Sequence, residues 1–206
     1  MNIRCTPSNL SGKINLSSND FSNVILLCAG ALSKDGVTLR NLRFDDVGKK
    51  ISDTLQYMGA DIKTGENFIT VSENRLFGMM SYLRGENEFF SLYCALASVC
   101  DKGFTQLSGI KSLDQSLVSN VIENLSKIRV ATAFDDEDEL IIWGDNDIVG
   151  GTVDAKNNPY FALAFALISC RSRLPIDIHN IGDLQDKFPN FIENFNELGG
   201  KIEIIK

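Results

Sequence analysis

Three stretches of the chain are apolar around most of their circumference, and three others are apolar along one stripe only. The first kind runs from Ser22 to Leu32, Phe89 to Cys100 and Pro159 to Cys170. Val24-Ile25-Leu26-Leu27-Cys28-Ala29 and Phe161-Ala162-Leu163-Ala164-Phe165-Ala166-Leu167-Ile168 leave no polar face, so these helices have to be surrounded by protein. The small residues Ala29, Gly30, Ala31, Ala95, Ala97, Ala162, Ala164 and Ala166 let neighbouring elements approach closely. The second kind is amphipathic: Ile51, Leu55 and Met58 fall at i, i+4, i+7, as do Val118, Ile122 and Leu125. Phe188, Phe191, Phe195 and Leu198 form a similar stripe, with Pro189 suited to a first helical turn.

The two kinds alternate because the chain repeats. Ile122-Glu123-Asn124-Leu125 returns as Ile192-Glu193-Asn194-Phe195, 70 residues on (192 against 122), and the same shift backwards reaches Leu55. Gly36-Val37-Thr38-Leu39-Arg40, Gly103-Phe104-Thr105-Gln106-Leu107 and Leu174-Pro175-Ile176-Asp177-Ile178 alternate apolar and polar residues, as half-buried strands do. Each unit therefore reads β-α-β-α-β-β. Its last two strands close a hairpin, at Thr64-Gly65-Glu66-Asn67 in the first unit and at the acidic run Asp135 to Glu139 in the second. The expected architecture is one α/β domain over residues 1–206, with repeats at about 12–74, 75–145 and 146–206. Three central helices are buried, and amphipathic helices and sheets lie at the periphery.

Composition narrows the function classes. The net charge of −7 opposes a nucleic-acid partner, since neutralising phosphates takes clustered Lys and Arg. Cys5, Cys28, Cys94, Cys100 and Cys170 have no CxxC spacing and an odd count, which reads as buried thiols rather than a disulfide or zinc framework. Met1-Asn2-Ile3-Arg4 lacks an apolar leader and no apolar run nears the ~20 residues of a membrane span, so a cytoplasmic chain with no membrane partner is expected. The single His179 ends a strand and reads as structural, and Gly150-Gly151 sits outside any phosphate-loop motif.

The order and spacing of several short motifs resemble the enolpyruvyl transferases, most closely EPSP synthase. Gly59-Ala60-Asp61-Ile62 after the Asp53 helix looks like that family's "L..MGA.I", and Ser17-Ser18-Asn19-Asp20-Phe21-Ser22-Asn23 looks like a worn "GDxSS". Lys187-Phe188-Pro189-Asn190-Phe191 is similar to "SFPxF", and Thr6-Pro7-Ser8-Asn9-Leu10-Ser11-Gly12 looks like the family's opening. The likeness runs from about Ser11 to Lys206, three of the family's six units. It implies an EPSP synthase-like (3-phosphoshikimate 1-carboxyvinyltransferase-type) domain of the shikimate pathway to aromatic amino acids, using neither metal nor organic cofactor. The ligand class is shikimate-3-phosphate or phosphoenolpyruvate, and a homodimer or complementary second-domain protein would supply the other wall of the site.

Most of the family's charged positions are substituted. Its Lys-Glu-Ser-Asp-Arg falls on Leu113-Asp114-Gln115-Ser116-Leu117, with Lys111 nearby, and its Asp-His-Arg falls on Asn158-Pro159-Tyr160. The lysine before "FP" falls near Asp186, with Lys187 one place late. Glu88, ahead of Glu86, stands in for the aspartate base, and Asp20 and Ser22 fit their positions. Losing one preorganised group typically costs ~100–1000-fold in rate, so the expectation is a domain inactive by itself. Glu88 is its candidate catalytic residue, and Asp20, Ser22, Lys111 and Lys187 are its candidate substrate-binding residues. The alternative is a catalytically degenerate homologue serving as a ligand- or protein-binding module. A different enzyme on a related repeat fold, such as an RNA 3′-phosphate cyclase, fits the acidic charge least.

Overall fold

A computed structural model of the chain describes residues 1–17, 20–42, 46–72, 75–135 and 138–206, without the side chains of Asp46 and Asp135. Ser18 and Asn19 of the worn motif and Asp136 and Glu137 of the acidic run lie outside the described residues.

The all-apolar stretches form helices α1 (Ser22–Gly30), α3 (Asn87–Val99) and α5 (Pro159–Ser169). All three are enclosed: Val24, Leu96 and Phe165 are buried, α3 packs closely along α5, and α1 touches α5. α1 stops at Gly30, short of Leu32, because its last turn tightens into i→i+3 hydrogen bonds, Leu32 N–H to Ala29 and Ser33 N–H to Gly30. A side chain at Gly30 would collide with Val37 and Val71 at 2.7–2.8 Å, so glycine sets how near the helix lies to its sheet.

The amphipathic helices are α2 (Asp46–Tyr57), α4 (Gln115–Lys127) and the pair α6 (Leu184–Lys187) and α7 (Phe191–Glu197). Ile51, Leu55 and Met58 are buried as their spacing predicts, whereas on α4 the stripe centres on Val118, Val121 and Leu125, with Ile122 half-buried. Pro189 does not open a helix; it divides α6 from α7. Phe188, just before it, has φ −132° and ψ 65°, as expected where the proline ring disfavours helical geometry in the preceding residue.

Three four-stranded sheets surround the helices. In the first, β2 (Gly12–Asn15), β3 (Val37–Arg40), β4 (Asp61–Gly65) and β5 (Phe68–Ser72) take the order β2-β3-β5-β4. In the second, β6 (Met80–Tyr82), β7 (Phe104–Ser108), β8 (Thr132–Asp135) and β9 (Glu139–Trp143) take the order β6-β7-β9-β8. Both have a parallel first pair and antiparallel pairs thereafter. Gly36 and Gly103, one residue before β3 and β7, hold φ of 66° and 84°, which explains why a glycine recurs at that landmark.

The third sheet reaches the same pattern by another route. β10 (Gly151–Asp154), β11 (Ile176–His179) and β12 (Ile202–Ile205) leave the third position of the order open, and β1 (Asn2–Cys5) fills it, giving β10-β11-β1-β12. β1 runs antiparallel to both neighbours, Ile3 opposite Ile178 and Ile204, so the two ends of the described chain close one sheet. Arg4 locks the register with a bidentate pair to Asp177, Nε–Oδ1 2.7 Å and Nη2–Oδ2 2.8 Å, across 173 residues of sequence. One hydrophobic cluster joins residues beneath all three sheets, from Ile3 to Ile202.

Candidate functional site

The three buried helices begin beside one another, and a cavity of about 290 Å³ opens there. Its walls are Asp20, Phe21, Asn23, Val24 and Leu27 from the start of α1, Glu88 and Phe89 from α3, Tyr160 from α5, and Leu42, Val47 and Gly48 at the start of α2. Aromatic rings join the helix starts: Phe21 stands edge-on to Phe89 (centroids 5.7 Å) and to Tyr160 (5.0 Å), and Tyr160 meets Phe188 at 5.6 Å. Among the described residues the lining has two carboxylates and no Lys or Arg.

Each predicted residue can be placed. The Asp20 carboxylate accepts from the Ser22 N–H at 2.9 Å and from the Ser22 hydroxyl, so the two cap α1 together. Ser22 is buried and Asp20 half-buried. Glu88 is exposed in the first turn of α3, where its charge suits the helix dipole, and it faces the cavity. Glu86 instead pairs with Lys50, Oε2 to Nζ 2.5 Å. Lys187 covers a ring of the lining, its ammonium 4.4 Å from the centroid of the Tyr160 ring. Lys111 stands outside the lining, in a short 3₁₀ turn (Ile110–Ser112) whose Lys111 N–H donates to the Asp138 carboxylate at 2.7 Å. Asp20 and Glu88 thus line the cavity, Ser22 and Lys187 each touch a lining residue, Asp20 and Tyr160 respectively, and Lys111 is not in the lining.

Two positions matching family motifs serve as helix caps. Asp114 accepts from the Ser116 N–H (2.8 Å) and the Ser116 hydroxyl (2.7 Å) at the start of α4. The Ser116 contacts hold its carboxyl below the ordinary aspartate range. Asn158 accepts from the Tyr160 and Phe161 N–H groups (3.0 and 3.3 Å) at the start of α5, with Pro159 in the first turn. Buried Asn124 accounts for the repeated Ile-Glu-Asn motif in its unit: its amide oxygen accepts from the Asp154 N–H at 3.0 Å, tying α4 to β10.

Sequence reasoning missed Lys50 and the aromatic trio. The Lys50 ammonium lies 4.3 Å from the Phe89 centroid, a position set by the docking of α2 near α3. The trio did leave a signal, because an aromatic residue stands at or just before the first turn of every buried helix. All five cysteines are buried and unpaired; burial pushes the Cys100 thiol up to about 11 and Cys170 up to about 12. Among the described residues, no cluster of three or more His, Cys, Asp or Glu side chains is placed to hold a metal ion, and no helix is long and apolar enough to cross a membrane.

Three four-stranded sheets around three buried apolar helices form a fold that solved enolpyruvyl transferases share. The EPSP synthase from Acinetobacter baumannii matches 90% of this chain with a TM-score of 0.75 at 20% identity, over 46% of its own length. The enolpyruvyl transferase NikO from Streptomyces tendae matches 88% with a TM-score of 0.66 at 18% identity, over 43% of its length. At the level of sequence, the family model for EPSP synthase (3-phosphoshikimate 1-carboxyvinyltransferase) matches residues 3–195, and the chain belongs to that family. The 3-phosphoshikimate 1-carboxyvinyltransferase of Clostridium kluyveri is 30% identical over 190 residues, and that of Methylococcus capsulatus 26% identical over 203. These matches cover 89% and 90% of this chain but 44% and 46% of the relatives, so the chain spans less than half their length.

Proposed function

We propose that residues 1–206 form one EPSP synthase-type domain of the shikimate pathway, in the cytoplasm, that transfers no carboxyvinyl group by itself. The observation that carries this reading is the cavity where the three buried helices begin: its described lining supplies carboxylates and aromatic rings, not the cations that would hold two phosphates and a carboxylate. In a completed site Glu88 takes the proton, Asp20 and Ser22 face the substrate hydroxyls, and Lys187 beside the Tyr160 ring meets an anionic group, with Lys111 outside the immediate contacts. The missing cations come from three further units, in the same polypeptide or another, which close the cavity and exclude water.

Calorimetric titration with shikimate-3-phosphate and phosphoenolpyruvate, run beside a phosphate-release assay, tests the proposal. Binding of shikimate-3-phosphate without phosphate release is expected, and Glu88→Gln should leave the heat nearly unchanged. Steady phosphate release by residues 1–206 alone would overturn it.

The aromatic lining favours one second reading, a degenerate homologue that binds a less charged ligand in the same cavity. In that case neither phosphorylated compound gives heat, and Tyr160→Ala leaves that result unchanged.

A further inference from the structure

The three sheets share one strand order but not one outer surface. On the first sheet the outward positions include Lys13, Arg40, Lys63 and Thr70 around one exposed ring, Phe68, and on the third they include Arg4, Asp177, Thr152 and Glu203. On the second sheet the corresponding face presents Met80 and Tyr82 from β6, Phe104 from β7, and Ile141 and Trp143 from β9. Met80 is 70% exposed, Tyr82 60%, Phe104 51% and Trp143 42%. The fold does not require a cluster of this size, since the outward face of the first sheet carries one such ring, Phe68 at 42%, among charged and polar neighbours. The four large side chains leave roughly 400–500 Å² of apolar surface in water, taking aromatic side chains at about 150–250 Å² each. That is near the upper limit for a patch on a monomer and about half of one side of a standard interface.

We propose that this face pairs with the same face of a second copy, about a two-fold axis parallel to the strands. In the order β6-β7-β9-β8 that rotation lays β7 over the partner copy's β9 and β6 over its β8. The register then makes the surface self-complementary. Phe104 and Trp143 sit opposite each other in one copy, so each ring meets the other kind across the axis, twice. Met80 and Ala133 lie on one cross-strand row, through Gln106 and Ile141, so the most exposed side chain meets the smallest. Charge follows the same symmetry. Arg84, 5.9 Å from the Tyr82 ring on the β6 edge, comes over the β8–β9 turn that carries Asp138. Glu139, a carboxylate within the face, already accepts from Gln106 (2.7 Å) and Ser108 (3.2 Å), so covering it leaves that charge hydrogen-bonded.

This inference does not depend on what the helix-start cavity binds. Its test is sedimentation equilibrium of residues 1–206 across a wide concentration range, with the emission of Trp143, the only tryptophan, followed in parallel. A monomer–dimer equilibrium is expected, with emission shifting to the blue as dimer forms. Phe104→Lys and Trp143→Glu, both on exposed side chains, should each weaken dimerisation by more than about tenfold without changing the circular dichroism of the fold. Mixing the two variants should restore association, because position 104 of one copy faces position 143 of the other. Lys13→Glu, at an exposed position on the first sheet, should leave dimerisation unchanged. A monomer at every concentration would overturn the proposal. So would a dimer indifferent to Phe104→Lys, or a mixture that associates no better than its parts; the last result rejects this axis specifically.

Discussion

The second and third sheets have the same strand order and are closed in opposite ways. In the second, the last two strands are neighbours in sequence and the hairpin β8–β9 forms locally. In the third, the matching place is taken by β1, whose partner on β11 lies 173 residues away. Every internal position of Ile3 and Cys5 is as deeply buried as those of Leu140 and Ile142. The difference teaches that the repeat is a rule about space, not about contiguous chain. A unit needs four strands to cover its helix, and the chain supplies the fourth from whichever segment arrives in register. It also divides the risks: a local hairpin closes at little entropic cost, whereas β1 completes its sheet only after the rest of the chain has brought β11 and β12 together.

The largest expected effect comes from removing the distant strand. Deleting residues 1–5 strips the cover from Ile178 and Ile202, leaves β12 unpaired and leaves β11 paired on its β10 side alone, a loss of more than about 5 kcal/mol from apolar burial and ladder bonds together. Urea denaturation should show a destabilised or unfolded chain. A two-state transition of unchanged midpoint would show that β1 is dispensable and the comparison false.

Next come single side chains at equal depth. Ile3→Ala and Leu140→Ala should each cost about 2–5 kcal/mol at equilibrium. Stopped-flow kinetics should separate them: Leu140→Ala slows folding, whereas Ile3→Ala chiefly speeds unfolding, because its contacts form last. Identical partitioning for both would erase the kinetic contrast.

Acid sharpens the comparison further. Hydrogen bonding to Arg4 holds Asp177 below the ordinary carboxylate range. Partial burial opposes the charge of Asp154, but hydrogen bonds from Asn180 and from the Lys156 N–H and ammonium bring it down to about 2. Carboxyls depressed in the folded state stabilise it above their unfolded pKa, about 4, and that contribution fades as pH falls toward about 2. Stability measured by urea should therefore decline below about pH 4, and Asp154→Asn should flatten part of the slope. Arg4→Ala should lower stability at neutral pH, more so at low salt, and match the parent chain once Asp177 is protonated.

The smallest effect belongs to the local hairpin. Doubling the β8–β9 turn with Gly and Ser should cost only about 0.6 kcal/mol. Thermal melting that fell as far as in the Ile3→Ala chain would mean that the second sheet is closed as precariously as the third.

The residues whose placement was legible are those that obey the repeat. Asp20, Ser22 and Glu88 stand at helix starts, and a helix start can be read from a polar residue followed by an apolar run. Lys187 came from a motif, yet its contact with Tyr160 depends on α6 docking against the start of α5. Lys50 carries no such mark: nothing in Lys49-Lys50 says which lysine will cover a ring on another helix. Lys111 was brought in by nearness in sequence, and its short turn carries it away from the cavity.

The periods of the apolar residues alone showed which helices are enclosed and where the half-buried strands β3, β7 and β11 run, because burial is decided by local spacing against water. Which strand completes the third sheet, which rings line the cavity and which sheet face is left apolar were decided only by the assembled chain. Those outcomes depend on contacts between residues far apart in sequence, and no local pattern encodes the partner on the other side.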